Sequence, residues 1–293
     1  MSDGAAAPPL APIETGHSPI TRSRPGSSWP ERARRALGAL PWPVAESLFA
    51  GLGVLDGLVR PRRRGRALEW ASAQPRGRHG RWGLAIRLLA NHGRFIAQEH
   101  LVETCDPTAL RDRVRLLGEE HLAAAGSGAT ILLGFHVGPP RTPVALQALG
   151  YPVTAMPDLT SRAAASRPKP SEEPTVRAVA LLQARRLLAR HEWLYIAADG
   201  PPGVEAYRIL LPGGPVIIRE GWLTLRRLTG APTVPVLAHR EGPRRVITIH
   251  PALPPVASDP RADADVCCTV LADLLGSYLR RYPEQCRATL WRP

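Results

Sequence analysis

"ILLGFHVGPPRTPVALQALGYPVTAM", residues 131–156, predicts a strand, a helix and a second strand in immediate succession. Apolar residues lead to His136 in a predicted strand at 129–136, and a Gly-Pro-Pro turn follows. A helix is predicted at 141–149, where a glycine ends the pattern, and the next strand is predicted at 151–156. A strand, a crossover helix and a further strand are typical of parallel sheets flanked by helices.

The same alternation continues toward the end of the chain. Apolar runs of strand length alternate with longer segments of helical periodicity, and glycines or prolines separate them. Helices are predicted at 174–191, 219–229 and 261–281, strands at 193–198, 232–239 and 245–250, and a short apolar run at 215–218. Residues 129–293 are therefore predicted to form an α/β core in which a mixed, mostly parallel sheet is flanked by helices.

Two polar residues close predicted strands of this sheet. His136 ends the strand at 129–136, and Asp199 follows the strand in "WLYIAADGPPG", residues 193–203. Carboxyl ends of parallel strands meet at one rim, where ligands usually bind, so we expect both side chains at one site. A histidine suits the role of general base, provided that a carboxylate holds its ring. The alternative is a turn histidine satisfied by backbone groups, beside an ordinary tight turn.

The local sequence leaves the carboxylate partner of His136 open. Asp199 is the first candidate, followed by Asp158 just after a strand and Glu220 at the start of a helix. Arg141 cannot serve, because a guanidinium has no acceptor atom and stays positively charged. Its charge instead predicts a contact with a phosphate of a substrate.

The first part of the chain has a different character. Residues 1–30 are polar and rich in Pro, Ser and Ala, which predicts a disordered tail without a signal peptide. Residues 31–128 are predicted to form a helical, membrane-associating region. Two of its helices are expected at 81–103 and 108–125.

The opening of that region, "ALGALPWPVAESLFAGLGVLDGLV" at residues 36–59, is apolar over the length of a membrane span. Two prolines, Glu46 and Asp56 interrupt it, which favours a helix lying in the membrane interface. The run "RPRRRGR", residues 60–66, follows and suits anionic headgroups on a cytoplasmic face. The alternative is a core helix followed by a solvated charge run.

Charge and cysteine content limit the partners and cofactors. The formal net charge is +13, which favours an anionic membrane surface. No nucleic-acid-binding motif is recognisable, so we expect no nucleic acid partner. The four cysteines lack the spacing of a disulfide framework or a zinc site, and neither is expected.

Four stretches, taken together, resemble the lysophospholipid acyltransferase superfamily, and most closely its branch of bacterial lipid A late acyltransferases. They are residues 131–156 and 193–203, quoted above, "GWLTLRRLTGAPTVPVLAHREG" at 221–242 and "YPEQCRATLWRP" at 282–293. In that family a strand ends in His, four residues intervene, and an Asp or Glu follows. Here His136 matches the base and Asp199 matches the acidic turn of a later block, whereas Arg141 occupies the position of the acid.

The resemblance implies a glycerolipid acyltransferase-like fold on the cytoplasmic face of the bacterial inner membrane, peripheral or with one N-terminal membrane-embedded segment. The implied reaction moves a fatty acyl group from an acyl carrier protein or coenzyme A thioester to a hydroxyl of a membrane lipid or glycolipid, with no metal or further cofactor. The resemblance implies that His136 is the general base, whereas Asp199 as its partner is the first candidate from the residues alone. Substrate contacts are expected from Arg141, Gly138, Gly200 and Gly203. The departure at Arg141 supports a second hypothesis, a catalytically silent homologue that binds lipid or acyl carrier protein as a scaffold.

Overall fold

The computed structural model describes residues 40–74, 80–126, 128–156, 173–199, 206–211 and 213–286. Its strands form one six-stranded sheet and a separate hairpin. In chain order they are β1 (Val114–Leu117), β2 (Thr130–Gly134), β3 (Val153–Ala155), β4 (Trp193–Ala197), β5 (Ala206–Leu211), β6 (Gly214–Arg219), β7 (Thr233–Glu241) and β8 (Arg244–Ile249). The order across the sheet is β1-β8-β7-β2-β4-β3, and β5 pairs with β6 in the hairpin.

Most neighbouring strands of the sheet are parallel. β2 lies between β4 and β7 and is parallel to both, and β3 is parallel to β4. β8 runs antiparallel to β7 and parallel to β1. Every residue of β2 is buried, as expected for a central strand covered on both faces. The predicted α/β fold with a mixed, mostly parallel sheet is confirmed.

Helices cover both faces of the sheet. In chain order they are α1 (Trp42–Val59), α2 (Pro61–Ala73), α3 (Gly80–Thr104), α4 (Pro107–Arg111), α5 (Glu120–Ala124), α6 (Thr142–Ala148), α7 (Glu173–Ala189), α8 (Gly221–Thr229) and α9 (Pro260–Arg281), followed by a 3-10 turn at Pro283–Gln285. Ile131 and Leu133 of β2 face a large apolar core shared with α2, α3, α7, α8 and α9. Leu132 between them faces a smaller core shared with α5 and α6.

The predicted single helix at 108–125 is wrong. The chain forms α4, then β1, then α5 in this region. Gly118 takes a left-handed conformation, with φ +74°, just after β1. β1 forms a parallel ladder with β8, so hydrogen bonding to a strand distant in sequence outweighs the local helical pattern. The apolar run at 215–218 lies in β6, whose partner β5 the sequence analysis does not predict.

Helices α1 and α3 cross at close backbone distance. Gly53 of α1 lies against Gly93 of α3, and a Cβ on Gly93 would overlap the carbonyl oxygen of Phe49. Glu46, a buried residue of α1, joins this helix to the sheet, because its carboxylate accepts a hydrogen bond from Arg240 of β7 at 3.1 Å. The charge that interrupts the apolar segment is therefore part of the packing of α1.

The opposite face of α1 is apolar and exposed. Its exposed large apolar side chains are Val44, Leu48, Leu52, Leu55, Leu58 and Val59. In the part of the chain that the structure describes, α1 is the one helix with the length and composition to cross a membrane. Core helices of soluble proteins can have the same length and composition.

Candidate active site

The register of two parallel strands brings His136 and Asp199 together. In the register of β2 and β4, Gly134 lies opposite Ala197. His136 follows Gly134 by two residues, and Asp199 follows Ala197 by two residues. The ladder extends one step further, because the N–H of Ala198 donates to the carbonyl of Gly134 at 2.8 Å. His136 and Asp199 therefore lie side by side at the carboxyl end of the sheet, the rim where the sequence analysis expects a site.

One carboxylate holds both the backbone and the ring of His136. The His136 N–H lies 2.9 Å from each carboxylate oxygen of Asp199, and ring Nδ1 lies 2.9 Å from Oδ1. The Asp199 side chain is buried, whereas that of His136 is 28% exposed. An ionised carboxylate only accepts hydrogen bonds, so Nδ1 is the donor in this contact, and in the neutral imidazole Nε2 then presents a lone pair. Within the described ranges no hydrogen bond to Nε2 is present.

The guanidinium of Arg141 is engaged by helix α3. It lies 3.5 Å from the carboxylate of Glu99 and forms a closer ion pair with Glu103. The Arg141 backbone precedes α6 in a left-handed conformation, with φ 62°, which costs a residue other than glycine about 1 kcal/mol. Arg141 thus joins α3 to the start of α6, and its predicted phosphate contact stays a prediction.

Of the three glycines predicted to contact substrate, the structure describes Gly138. Gly138 is buried with φ +63°, and its N–H donates to the carbonyl of Gln285 at 2.8 Å. A Cβ there would overlap the carbonyl oxygen of Ala238, so only glycine fits this turn against β7. These contacts are packing contacts, and a substrate contact of Gly138 stays a prediction. Gly200 and Gly203 lie outside the described residues.

The other two carboxylates proposed from the sequence are not part of the observed pair. Asp158 lies outside the described residues. Glu220 directly precedes α8, one residue after Arg219, whose N–H donates to the carbonyl of Ala198 at 2.8 Å. Asp199 is thus the described carboxylate that contacts the ring of His136.

The sequence analysis does not predict a third neighbour of the pair, Cys286. A β-bridge joins Cys286 to Val137, the residue after His136. Burial raises the pKa of the Cys286 thiol, and the negative charge of Asp199 adds to this effect. The thiol therefore stays protonated and is unsuited to act as a nucleophile. The sequence signal that includes Cys286 is the family resemblance at residues 282–293, and that resemblance does not say which residues Cys286 contacts.

The geometry of His136 and Asp199 is that of a base and its orienting acid. A histidine held at Nδ1 by a buried carboxylate can take a proton at Nε2 from a hydroxyl, and the carboxylate stabilises the imidazolium that forms. No model of a known protein family matches the chain, and no curated protein matches it. The arrangement of these two side chains is therefore the main indication of chemistry.

Proposed function

We propose that the protein transfers a fatty acyl group from an acyl thioester, carried by acyl carrier protein or coenzyme A, to a hydroxyl of a membrane lipid or glycolipid. The observation that carries the proposal is the His136–Asp199 pair at the carboxyl end of the sheet. The pair has the base and the orienting carboxylate that hydroxyl activation requires. The order of the sequence blocks that resemble lysophospholipid acyltransferases supplies the reaction class.

In the proposed reaction, Nε2 of His136 removes the proton of the acceptor hydroxyl as its oxygen attacks the thioester carbonyl. The carbonyl carbon becomes tetrahedral, and its oxygen takes on negative charge. The intermediate then collapses, the carbon–sulfur bond breaks, and the proton on Nε2 passes to the departing thiolate. Acceptor ester and free thiol are the products, and His136 returns to its initial state. Asp199 keeps the proton on Nδ1 throughout, so that Nε2 faces the hydroxyl.

The identity of the acid favours turnover over the silent-homologue hypothesis. That hypothesis starts from Arg141, which stands where the resembling family has its carboxylate. In this chain Asp199 holds the histidine, and the Arg141 guanidinium is paired with Glu99 and Glu103. The loss of an acid at position 141 therefore does not leave His136 without an orienting partner.

We place the protein at the cytoplasmic face of a bacterial inner membrane through helices α1 and α2. The exposed apolar face of α1 has the composition of an interfacial helix, and the arginines of residues 60–66 follow it directly. Of these, Arg60 is paired with Asp56 at 2.9 Å, and Arg63 also pairs with Asp56. Exposed Arg62 and Arg66 carry further positive charge suited to anionic headgroups.

The test is a lipid mass profile of cells expressing the wild type, His136→Ala or Arg141→Glu, with membranes also supplied with labelled acyl thioester. We expect an added acyl chain in the wild type that is absent in His136→Ala, and the modified lipid identifies the acceptor. If the wild type transfers nothing while Arg141→Glu gains transfer, the protein is a silenced homologue and the proposal is wrong.

A further inference from the structure

Residues Pro283–Cys286, here called the C-terminal segment, lie between the N-terminal helices and the turn that carries His136. On the helical side, Nε1 of Trp70 in α2 donates to the carbonyl of Pro283 at 3.0 Å. Nδ2 of Asn91 in α3 donates to the carbonyl of Glu284 at 2.9 Å. Two buried polar side chains from two helices therefore fix the backbone of this segment.

On the other side the segment holds the sheet and the turn through Gln285. The amide side chain of Gln285 is buried and forms a two-way hydrogen-bond pair with the backbone of Arg240 in β7. Its Oε1 accepts from the Arg240 N–H at 2.7 Å, and its Nε2 donates to the Arg240 carbonyl at 3.0 Å. The Gln285 carbonyl accepts the N–H of Gly138 at 2.8 Å, and the next residue bridges to Val137.

We propose that Gln285 is a positioning residue for His136, and that the C-terminal segment couples helices α2 and α3 to the His136 turn. Beyond the end of β2, the backbone at 136–138 is held by Asp199 at one end and by the C-terminal segment at the other. The side-chain pair with Arg240 keeps the Gln285 carbonyl where Gly138 needs it. Gly138 has φ +63° and lies beyond the end of β2, so the ladders of the six-stranded sheet do not fix its position.

The coupling follows from the chain of contacts. Asn91 of α3 donates a hydrogen bond to the carbonyl of Glu284, so a movement of α3 would displace the backbone of the C-terminal segment. The next residue, Gln285, accepts the hydrogen bond of the Gly138 N–H, so the displacement would reach the His136 turn. The proposed function assigns α1 and α2 to the membrane surface, and α3 packs closely against α1. The catalytic meaning of the coupling rests on that proposed function, whereas the coupling itself is a property of the fold.

The experiment measures hydrogen–deuterium exchange of the His136 and Gly138 amides in the full chain, which needs no substrate. We compare the wild type with Gln285→Leu, which removes the pair with Arg240, and with Asn91→Ala, which acts from the far side of the segment. Gln147→Leu is the control, because it removes a glutamine–backbone hydrogen bond, to Val153, at an exposed position away from the segment. Exchange at residues 136–138 should rise about tenfold in both test variants, since local opening follows the loss of hydrogen bonds.

Exchange in β4 should stay unchanged in all variants, and the control should leave residues 136–138 protected. Wild-type exchange at 136–138 in both Gln285→Leu and Asn91→Ala would overturn the proposal, as would an equal rise in Gln147→Leu. If Gln285→Leu does not fold, Asn91→Ala alone decides by the same criterion. Where acyl transfer is detected, kcat should fall with the KM for the thioester unchanged. Absence of transfer in the wild type would refute the proposed function and leave the exchange result standing.

Discussion

Asp199 accepts hydrogen bonds from both the main-chain N–H and the ring Nδ1 of His136, each at 2.9 Å. The same carboxylate thus stabilises the turn after β2 and orients the imidazole that the turn carries. The Arg141 guanidinium takes no part in this arrangement, because it is paired with Glu99 and Glu103 of α3. Substitutions at Asp199 can therefore separate the structural role from the orienting role.

Asp199→Asn should abolish most transfer while leaving the fold intact. The asparagine oxygen can still accept the His136 N–H, but its NH2 group donates to Nδ1 and moves the ring proton to Nε2, where it blocks the base. The analogous change in serine-protease triads lowers kcat by about 10⁴-fold, and a similar loss is expected in single-turnover transfer. Asp199→Ala should in addition destabilise the protein by about 1–3 kcal/mol, because it leaves a buried N–H unsatisfied. Wild-type rates in Asp199→Asn would exclude His136 as a base oriented by this residue.

Arg141→Glu should destabilise the protein and should not raise transfer above the wild-type rate. The new carboxylate would lie near Glu99 and Glu103, whereas Arg141→Gln only removes a partly exposed ion pair worth at most about 1 kcal/mol. The cost of Arg141→Glu should therefore exceed that of Arg141→Gln by roughly 1 kcal/mol in urea denaturation, and added salt should narrow the difference. Equal stability of the two variants would show that α3 does not hold position 141.

The parts of the fold that were predictable are those with local signals. The βαβ unit at 131–156 has continuous apolar strands, a proline turn and a glycine stop, and the structure contains it as β2, α6 and β3. β1 carries little such signal, because it is four residues long and its pairing with β8 spans more than a hundred positions. Hydrophobic periodicity is a pattern within a short window of residues, so it does not predict a pairing between distant strands.

The candidate site likewise has features that local sequence patterns predict and contacts that they do not. The rim shared by His136 and Asp199 was predictable, because both residues end strands of a parallel sheet. Their contact depends on the register of β2 against β4, which no local pattern specifies. The engagement of Arg141 by α3 and the approach of Gln285 to Gly138 are long-range contacts of the same kind.

Two glycines of α1 should respond to alanine with opposite signs. A Cβ on Gly53 would overlap the carbonyl oxygen of Leu89, so Gly53→Ala should force α1 and α3 apart and cost about 1–3 kcal/mol. Gly51, on the same helix, has no atom within 4 Å of an added Cβ, and Gly51→Ala should stabilise by up to about 1 kcal/mol through helix propensity. Thermal unfolding of the two variants measures both effects. A destabilised Gly51→Ala, or an unaffected Gly53→Ala, would contradict the observed helix crossing.

The exposed face of α1 should carry the affinity for membranes. Leu48 and Leu55 are 51% and 57% exposed. Replacing both by Gln should lower the affinity for vesicles containing anionic phosphatidylglycerol by tenfold or more, because each leucine should contribute about 1–2 kcal/mol of binding free energy. Leu182→Gln with Leu228→Gln is the control, since these leucines are exposed to a similar degree on α7 and α8. Higher salt should weaken wild-type binding by screening the arginines. Equal losses in both double variants would mean that α1 is not the docking surface.

Acid should destabilise the protein in part through His250. Burial lowers the pKa of this histidine to about 4, and the nearby charge of His121 adds to the shift. Between this value and the ordinary value of 6.5, the unfolded chain binds a proton that the folded chain excludes. This contribution to the free energy of unfolding is therefore complete above about pH 6.5 and is lost as the pH falls toward 4, by about 2 kcal/mol once partial solvent exposure is considered.

His250→Gln should remove that share of the pH dependence, because glutamine does not titrate in this range. His191→Asn is the control, since it likewise removes one histidine, at an exposed position. Urea denaturation at several pH values between about 4 and 7 gives both slopes. A His250→Gln protein that loses as much stability as the wild type over this interval would assign the acid sensitivity to other groups.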